Sequence, residues 1–332
     1  MKRLLIKAVI LLLPFLVILT VFFIVDPMRI IYTYSSPTLP GVLINDRVFQ
    51  ARYLAKNMGN YNSFILGSSR SKAFKTFNWK KYSNADSCFH LGVNDETLFG
   101  LCKKIEYLNR EQVTIKNVLL ILDHRLLSMD KNHEAHIFRE HPDVSGESAI
   151  QFYKIFFTAF LNPDFFKAYL DWTSTGVYKP SMKNYIFKET FEYVNYSGDI
   201  NYVGYEKEII RDSLSYYTRN REIFYDRKKE TQRSVISSKG KLMLEIIQEV
   251  FKKQNTNYKV ILSPNYDQKK INEQDLDYLK QVFGETKVFD YSGLNEITAN
   301  IGNYYEEKHF KPSIANKLMQ EVYGARIKNK GK

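Results

Sequence analysis

Phe64-Ile65-Leu66-Gly67-Ser68-Ser69-Arg70-Ser71 is the stretch on which the reading of this chain turns. Ser63–Leu66 is apolar, bounded by polar residues and too short for a buried helix, so it reads as a buried strand. The strand ends at Gly67, and the pattern predicts a helix starting near Ser71. A serine at such a turn stands exposed at the C-terminal edge of a sheet. Neighbouring backbone N–H groups point at the same spot, and the helix N-terminus adds partial positive charge. A serine nucleophile and its oxyanion hole need that arrangement. A serine that only caps a helix gives the same string.

Outward from this stretch the pattern repeats. Val118–Leu122, Lys259–Leu262 and Lys287–Phe289 read as buried strands, and Cys88–Val93 as a weaker one. Between them lie amphipathic helical patterns at Asp95–Asn109, Ser238–Lys253 and Ser313–Tyr323. Strands alternating with such helices predict an α/β fold whose parallel sheet is covered on both faces. The alternation breaks over 131–236, read as a mostly helical insertion. Residues 151–205 hold 17 aromatics in 55 positions, against 15% for the chain, which makes this segment distinct in composition. The aromatics are read as the insertion's own small core, with a carbohydrate platform or a membrane contact as alternatives. Arg219–Arg233 carries six basic and three acidic side chains and reads as a solvated helix.

The N-terminus sets the compartment. Lys2, Arg3 and Lys7 precede an apolar run from Ala8 to Val25, long enough at about 1.5 Å per residue to span the hydrocarbon. Phe-Phe-Ile-Val-Asp-Pro at its end lacks a small-residue cleavage site, so 1–26 is expected to be an uncleaved signal anchor. Basic residues stay inside, which puts a single-pass protein in the cell membrane with its large domain extracytoplasmic, in a periplasm or on the outer surface. Residues 27–60 form a juxtamembrane segment. Of the net charge of +12, the anchor segment holds +2, leaving +10 for 27–332. A basic outer domain is drawn to anionic polymers or head groups, and nucleic acid is not expected there. The two cysteines, Cys88 and Cys102, exclude a disulfide scaffold and are read as core thiols. His133, His136 and His141 match no metal-ligand spacing and are read as solvated loop residues.

A second segment, Tyr304-Tyr305-Glu306-Glu307-Lys308-His309-Phe310-Lys311-Pro312, lies just before the last helix. A carboxylate three residues ahead of a histidine can hold the imidazole's tautomer and leave its other nitrogen as a general base. A surface histidine near a helix start would look the same.

Together the two segments resemble the SGNH/GDSL hydrolase superfamily. Gly67-Ser68-Ser69 stands where the family has Gly-Asp-Ser, and Glu306-Glu307-Lys308-His309 where it has Asp-x-x-His. The resemblance implies a three-layer flavodoxin-like parallel sheet, built from 61–130 and 237–332. It makes Ser69 the nucleophile, His309 the base and Glu306 its orienting acid, with Glu307 the fallback. Gly92, in Leu91-Gly92-Val93, falls where the family draws an oxyanion N–H to join that of Ser69. The family's asparagine after the third strand has no counterpart, since that strand ends in Leu122-Asp123-His124-Arg125. Asn94 is the substitute donor. Gly-Ser-Ser-Arg-Ser together with the anchor looks most like envelope members that handle acyl groups on surface polysaccharides or teichoic acids. The expected partners are therefore such a polymer and a multi-pass membrane O-acyltransferase, and no cofactor is implied. The expected activity is that of an acyl esterase or O-acyltransferase. The rival is a catalytically inactive protein of this fold that binds an anionic polymer or the membrane acyltransferase.

Overall fold

A computed structural model of the chain describes residues 1–36, 41–187, 191–224, 227 and 230–324, apart from the side chains of Lys2, Leu4, Leu5, Ile6 and Ala8. The chain forms two compact units. One is made of Met1–Tyr53 and Glu134–Glu189, the other of Leu54–His133 and Thr190–Lys332. The 131–236 stretch is thus divided. Most of its first half belongs with the N-terminal segment, and its second half belongs with the sheet.

The second unit is α/β. Its sheet has five parallel strands: β1 Ser63–Gly67, β2 Cys88–His90, β3 Asn117–Leu122, β4 Asn257–Leu262 and β5 Val288–Asp290. Their spatial order is 2-1-3-4-5. Every residue of β1 and β3 is buried, as expected of strands covered on both faces. β2 is shorter than its apolar run. Beyond His90 the chain keeps pairing with β1 through Leu91 N–H to Ile65 O (2.8 Å) and Val93 N–H to Gly67 O (3.1 Å). Between them it bends at Gly92.

The helices α1 Thr76–Ser83, α2 Leu98–Arg110, α3 Ser238–Lys253, α4 Glu273–Phe283 and α5 Pro312–Tyr323 surround the sheet. α2 starts three residues later than its apolar pattern. Thr97 caps it by accepting from Gly100 N–H at 2.8 Å, while Asp95 adopts φ 49° in the preceding turn. Right-handed crossovers put α1, which links β1 to β2, on one face, and α2, α3 and α4 on the other. On the first face Trp79 of α1 and Leu318 and Met319 of α5 pack with Ile65, Leu119, Ile121 and Ile261. Burying each such side chain contributes about 1.5–3 kcal/mol. Cys88 and Cys102 are free, buried thiols, pushed up to about 12 by desolvation.

Arg219–Arg233 differs from its sequence reading. Residues 225, 226, 228 and 229 lie outside the described residues, and 220–224 form turns after the short helix Ser213–Arg219. Arg227 does not serve a helix face. Its guanidinium donates to the carbonyls of Tyr266 (3.2 Å) and Thr298 (2.5 Å), closing loops at the edge of the sheet.

In the first unit the helix Lys2–Val25 covers the apolar run. Among the described residues no helix is long and apolar enough to cross a membrane. Asp26 terminates the helix with φ 49° and is buried. Its carboxylate accepts from the N–H groups of Ile30 (2.8 Å), Ile31 (2.9 Å) and Tyr32 (2.9 Å). The end of the helix is therefore stitched to the segment that follows. Phe22 is buried against Phe157 and Phe160 of the helix Ala149–Phe160, with ring centroids 5.2 and 5.6 Å apart. That helix and the next, Pro163–Thr175, supply most of the unit's aromatic core.

Candidate active site

The site lies at the C-terminal edge of the sheet, within the second unit. β1 ends at Gly67, whose φ is +150° and whose Cβ, if it had one, would sit 2.3 Å from the Ile121 carbonyl. Only glycine lets β1 lie this close to β3 and then turn. Ser68 follows in extended conformation, and Ser69 opens a helical turn, Ser69–Ala73. This turn is a 3₁₀ helix of five residues rather than the α-helix expected near Ser71. A turn that short has little macrodipole, so its N–H groups act individually.

Asp123, directly after β3, fixes the turn from below. Its carboxylate accepts from Ser68 Oγ (2.6 Å), Arg70 Nη1 (3.0 Å) and Leu126 N–H (3.0 Å). Burial opposes the charge. The adjacent Arg70 guanidinium and the hydrogen bonds outweigh it and hold the carboxyl below the ordinary aspartate range. Ser68 and Arg70 are thus tied down on either side of Ser69.

His309 arrives from a short hairpin, Tyr304–Glu306 paired antiparallel with His309–Phe310, immediately before α5. Phe310 is buried and packs edge-on against Phe74 at 5.9 Å, which seats the hairpin on the turn. His309 Nε2 lies 2.7 Å from Ser69 Oγ, and its Nδ1 is hydrogen-bonded to Glu306 Oε1. Glu306 also accepts from Lys308 N–H at 2.8 Å. Desolvation raises the Glu306 carboxyl, but the bonds to His309 and Lys308 dominate and hold it below its ordinary value. Glu307 points elsewhere and pairs with Lys308 at 3.7 Å. The structure therefore brings three of the sequence-selected residues, Ser69, His309 and Glu306, into one hydrogen-bonded chain.

Gly92 lies against the same turn. A Cβ there would fall 1.9 Å from Ser71 Oγ, so the close approach requires glycine. Asn94 is held through its Oδ1, which accepts from the buried Lys72 ammonium at 2.8 Å. The three loop histidines do not converge. His133 contacts Asp95 at 3.1 Å, His136 packs on Phe156, and His141 caps the short helix Pro142–Ser145. Among the described residues no cluster of His, Cys, Asp or Glu could hold a metal.

Sequence reading missed two kinds of residue here. Asp123 was visible only as a departure from the family's asparagine, although a carboxylate straight after a buried strand is itself a signal. The tyrosines of the second half of the insertion were visible only as aromatic composition, which does not show that they contact the hairpin. Tyr202 lies 5.2 Å from the His309 ring, centroid to centroid. Tyr216 Oη donates to the Tyr305 carbonyl (2.6 Å) and Tyr217 Oη to that of Tyr304 (2.8 Å). The helix Ser213–Arg219 thus grips the hairpin that carries Glu306 and His309.

No protein-family model matches the chain, and no curated protein sequence is similar to it.

Proposed function

We propose that this chain is a serine acyl esterase or O-acyltransferase of SGNH-like, flavodoxin-type architecture that acts on a cell-envelope glycan. The observation that carries the proposal is the chain from Ser69 Oγ through His309 to Glu306, with 2.7 Å between hydroxyl and imidazole. Ser69 Oγ attacks the acyl carbonyl while His309 Nε2 takes its proton. The tetrahedral intermediate collapses, the C–O bond to the leaving alcohol breaks, and His309 returns the proton to that oxygen. Water, or an acceptor hydroxyl, then attacks the acyl-serine by the same steps in reverse. Glu306 stabilises the imidazolium formed on the way. Backbone N–H groups of Ser69 and Gly92 stabilise the oxyanion, and the Asn94 amide, steadied by Lys72, is the third donor. Each such donor is worth roughly 2.7–4 kcal/mol in the transition state.

The apolar helix Lys2–Val25 anchors the protein in the cell membrane with the sheet on the extracytoplasmic side. That orientation follows from Lys2, Arg3 and Lys7 preceding the helix's apolar run. A multi-pass acyltransferase is the expected partner.

The test is labelling of the full chain in detergent with a fluorophosphonate probe. Modification at Ser69 that disappears in Ser69→Ala and His309→Ala is the expected result. A folded protein that takes no label would sink the catalytic reading and leave the polymer-binding alternative.

A further inference from the structure

Beside the triad lies a cavity of about 670 Å³, and Glu306 and Glu307 form part of its wall. The volume is typical of small-molecule sites. The opposite wall comes from the helices Val203–Arg211 and Ser213–Arg219, which contribute Tyr205, Arg211 and Arg219, and Asn220 follows them. A belt of rings joins this cavity to the catalytic imidazole. Tyr202 lies 5.2 Å from His309 and 6.2 Å from Tyr205, and Tyr205 stacks on Tyr305 at 5.8 Å.

The chemistry of the lining narrows the occupant. An acyl chain would want apolar walls, but most of these side chains end in carboxylate, guanidinium or amide. A polyanion is disfavoured because the lining includes Glu208, Glu306 and Glu307 alongside its arginines, and Arg219 is already paired with Glu208 at 2.8 Å. An aromatic face beside planar, bidentate hydrogen-bonding groups suits a molecule with an apolar face and a rim of hydroxyls. An uncharged sugar ring has that form.

We infer that this cavity is a sugar-binding subsite, which holds an uncharged residue of the glycan next to the one whose ester is made or broken. Tyr205 stacks on the ring, and Arg211 and Asn220 bond its hydroxyls. The belt from Tyr205 to Tyr202 leads the polymer toward Ser69. The inference rests on the reading of Ser69 as a glycan-directed nucleophile and adds where, and with what charge, the neighbouring sugar is held.

The experiment is an array of immobilised bacterial oligosaccharides, neutral and acidic, probed with the full chain in detergent. Wild type and Ser69→Ala should both be retained on a subset of neutral oligosaccharides. Arg211→Ala and Tyr205→Ala should each weaken that retention at least tenfold with the melting temperature unchanged. Absence of retention on any glycan overturns the inference. So does retention on acidic glycans alone that Tyr205→Ala leaves intact, since net charge would explain it. Fluorophosphonate labelling separates the two levels. Labelling without glycan retention removes the subsite and keeps the nucleophile, whereas retention without labelling does the opposite.

Discussion

Among the described residues two serine–histidine pairs meet at the turn Ser69–Ala73, and only one has the geometry that the proposed chemistry needs. Ser69 and His309 meet at 2.7 Å, partly open to solvent, with Glu306 on the far imidazole nitrogen. Ser71 and His90 meet at 3.1 Å, both fully buried. Ser71 Oγ already donates to the Ser68 carbonyl at 2.7 Å, so its proton is committed. Burial, with help from Lys75 and Lys72, pushes the His90 imidazole down to about 3. A base that weak takes a proton from a hydroxyl poorly. Partner residue types are therefore no guide. Solvent access and a carboxylate make the first pair a candidate relay, while desolvation and nearby cations make the second a structural post beneath the Ser69 turn.

Removing each histidine in turn separates the two pairs. His309→Ala should lower esterase kcat by roughly 10⁶-fold, as in other serine triads, and leave the fold intact. His90→Ala should leave a cavity and cost stability of about 2–4 kcal/mol, read by denaturant unfolding. Equal loss of activity in both, with equal stability, would erase the distinction. Glu306→Gln comes next, with a fall of roughly 10⁴ if the carboxylate sets the tautomer as expected. A loss below tenfold would mean that His309 works without it.

Gly92→Ala probes where the two pairs touch. The added methyl would meet Ser71 Oγ at 1.9 Å, so it must push the loop away from the nucleophile's turn. Labelling of Ser69 should slow about 10²- to 10³-fold, the cost of one oxyanion donor. The Gly92→Ala, Ser71→Ala double variant should recover part of that rate, because the clashing hydroxyl is gone. No recovery would show that the loop, rather than the contact with Ser71, sets the donor.

Asp123 holds the Ser69 turn through Ser68 and Arg70. Its folded pKa is depressed from 3.8, so the unfolded chain holds this proton more tightly than the folded one. The stabilisation is complete above the ordinary aspartate range and is lost as pH falls through the folded value. Asp123→Asn should cost about 3 kcal/mol at neutral pH, since it strands Arg70 and the turn. The gap between wild type and variant should close on acidification toward pH 3. A gap that stays constant with pH would mean that the carboxylate's charge plays no part.

The sheet was legible in the sequence because it rests on local rules, whereas Ser69, Glu306 and His309 were brought together only by the family resemblance. Buried parallel strands are short apolar runs, and Gly67 marks the turn by its own backbone needs. α3 was read at its observed bounds from an apolar stripe on one face, and in the structure Ser237 caps it. The oxyanion-side details were not legible. Asp123 and Lys72 act through hydrogen bonds to residues far along the chain, which leave no period to read. The aromatic insertion failed for another reason. Tyrosines that pack a core and tyrosines that grip a hairpin have the same composition, and only their partners differ.

Tyr216 measures how much that hidden grip matters. Its hydroxyl donates to the Tyr305 carbonyl next to Glu306, and the ring is buried. Tyr216→Phe keeps the packing and removes one buried hydrogen bond, a loss of about 1 kcal/mol. If the helix Ser213–Arg219 positions the hairpin, that loss should appear in catalysis as well as in stability. Esterase kcat should fall several-fold at unchanged KM for a small acyl ester. Tyr217→Phe should behave alike, since it holds the adjacent Tyr304 carbonyl. A change in melting temperature with kcat untouched would assign these tyrosines to packing alone. The insertion would then contribute to the site only through the cavity wall it builds beside Glu306.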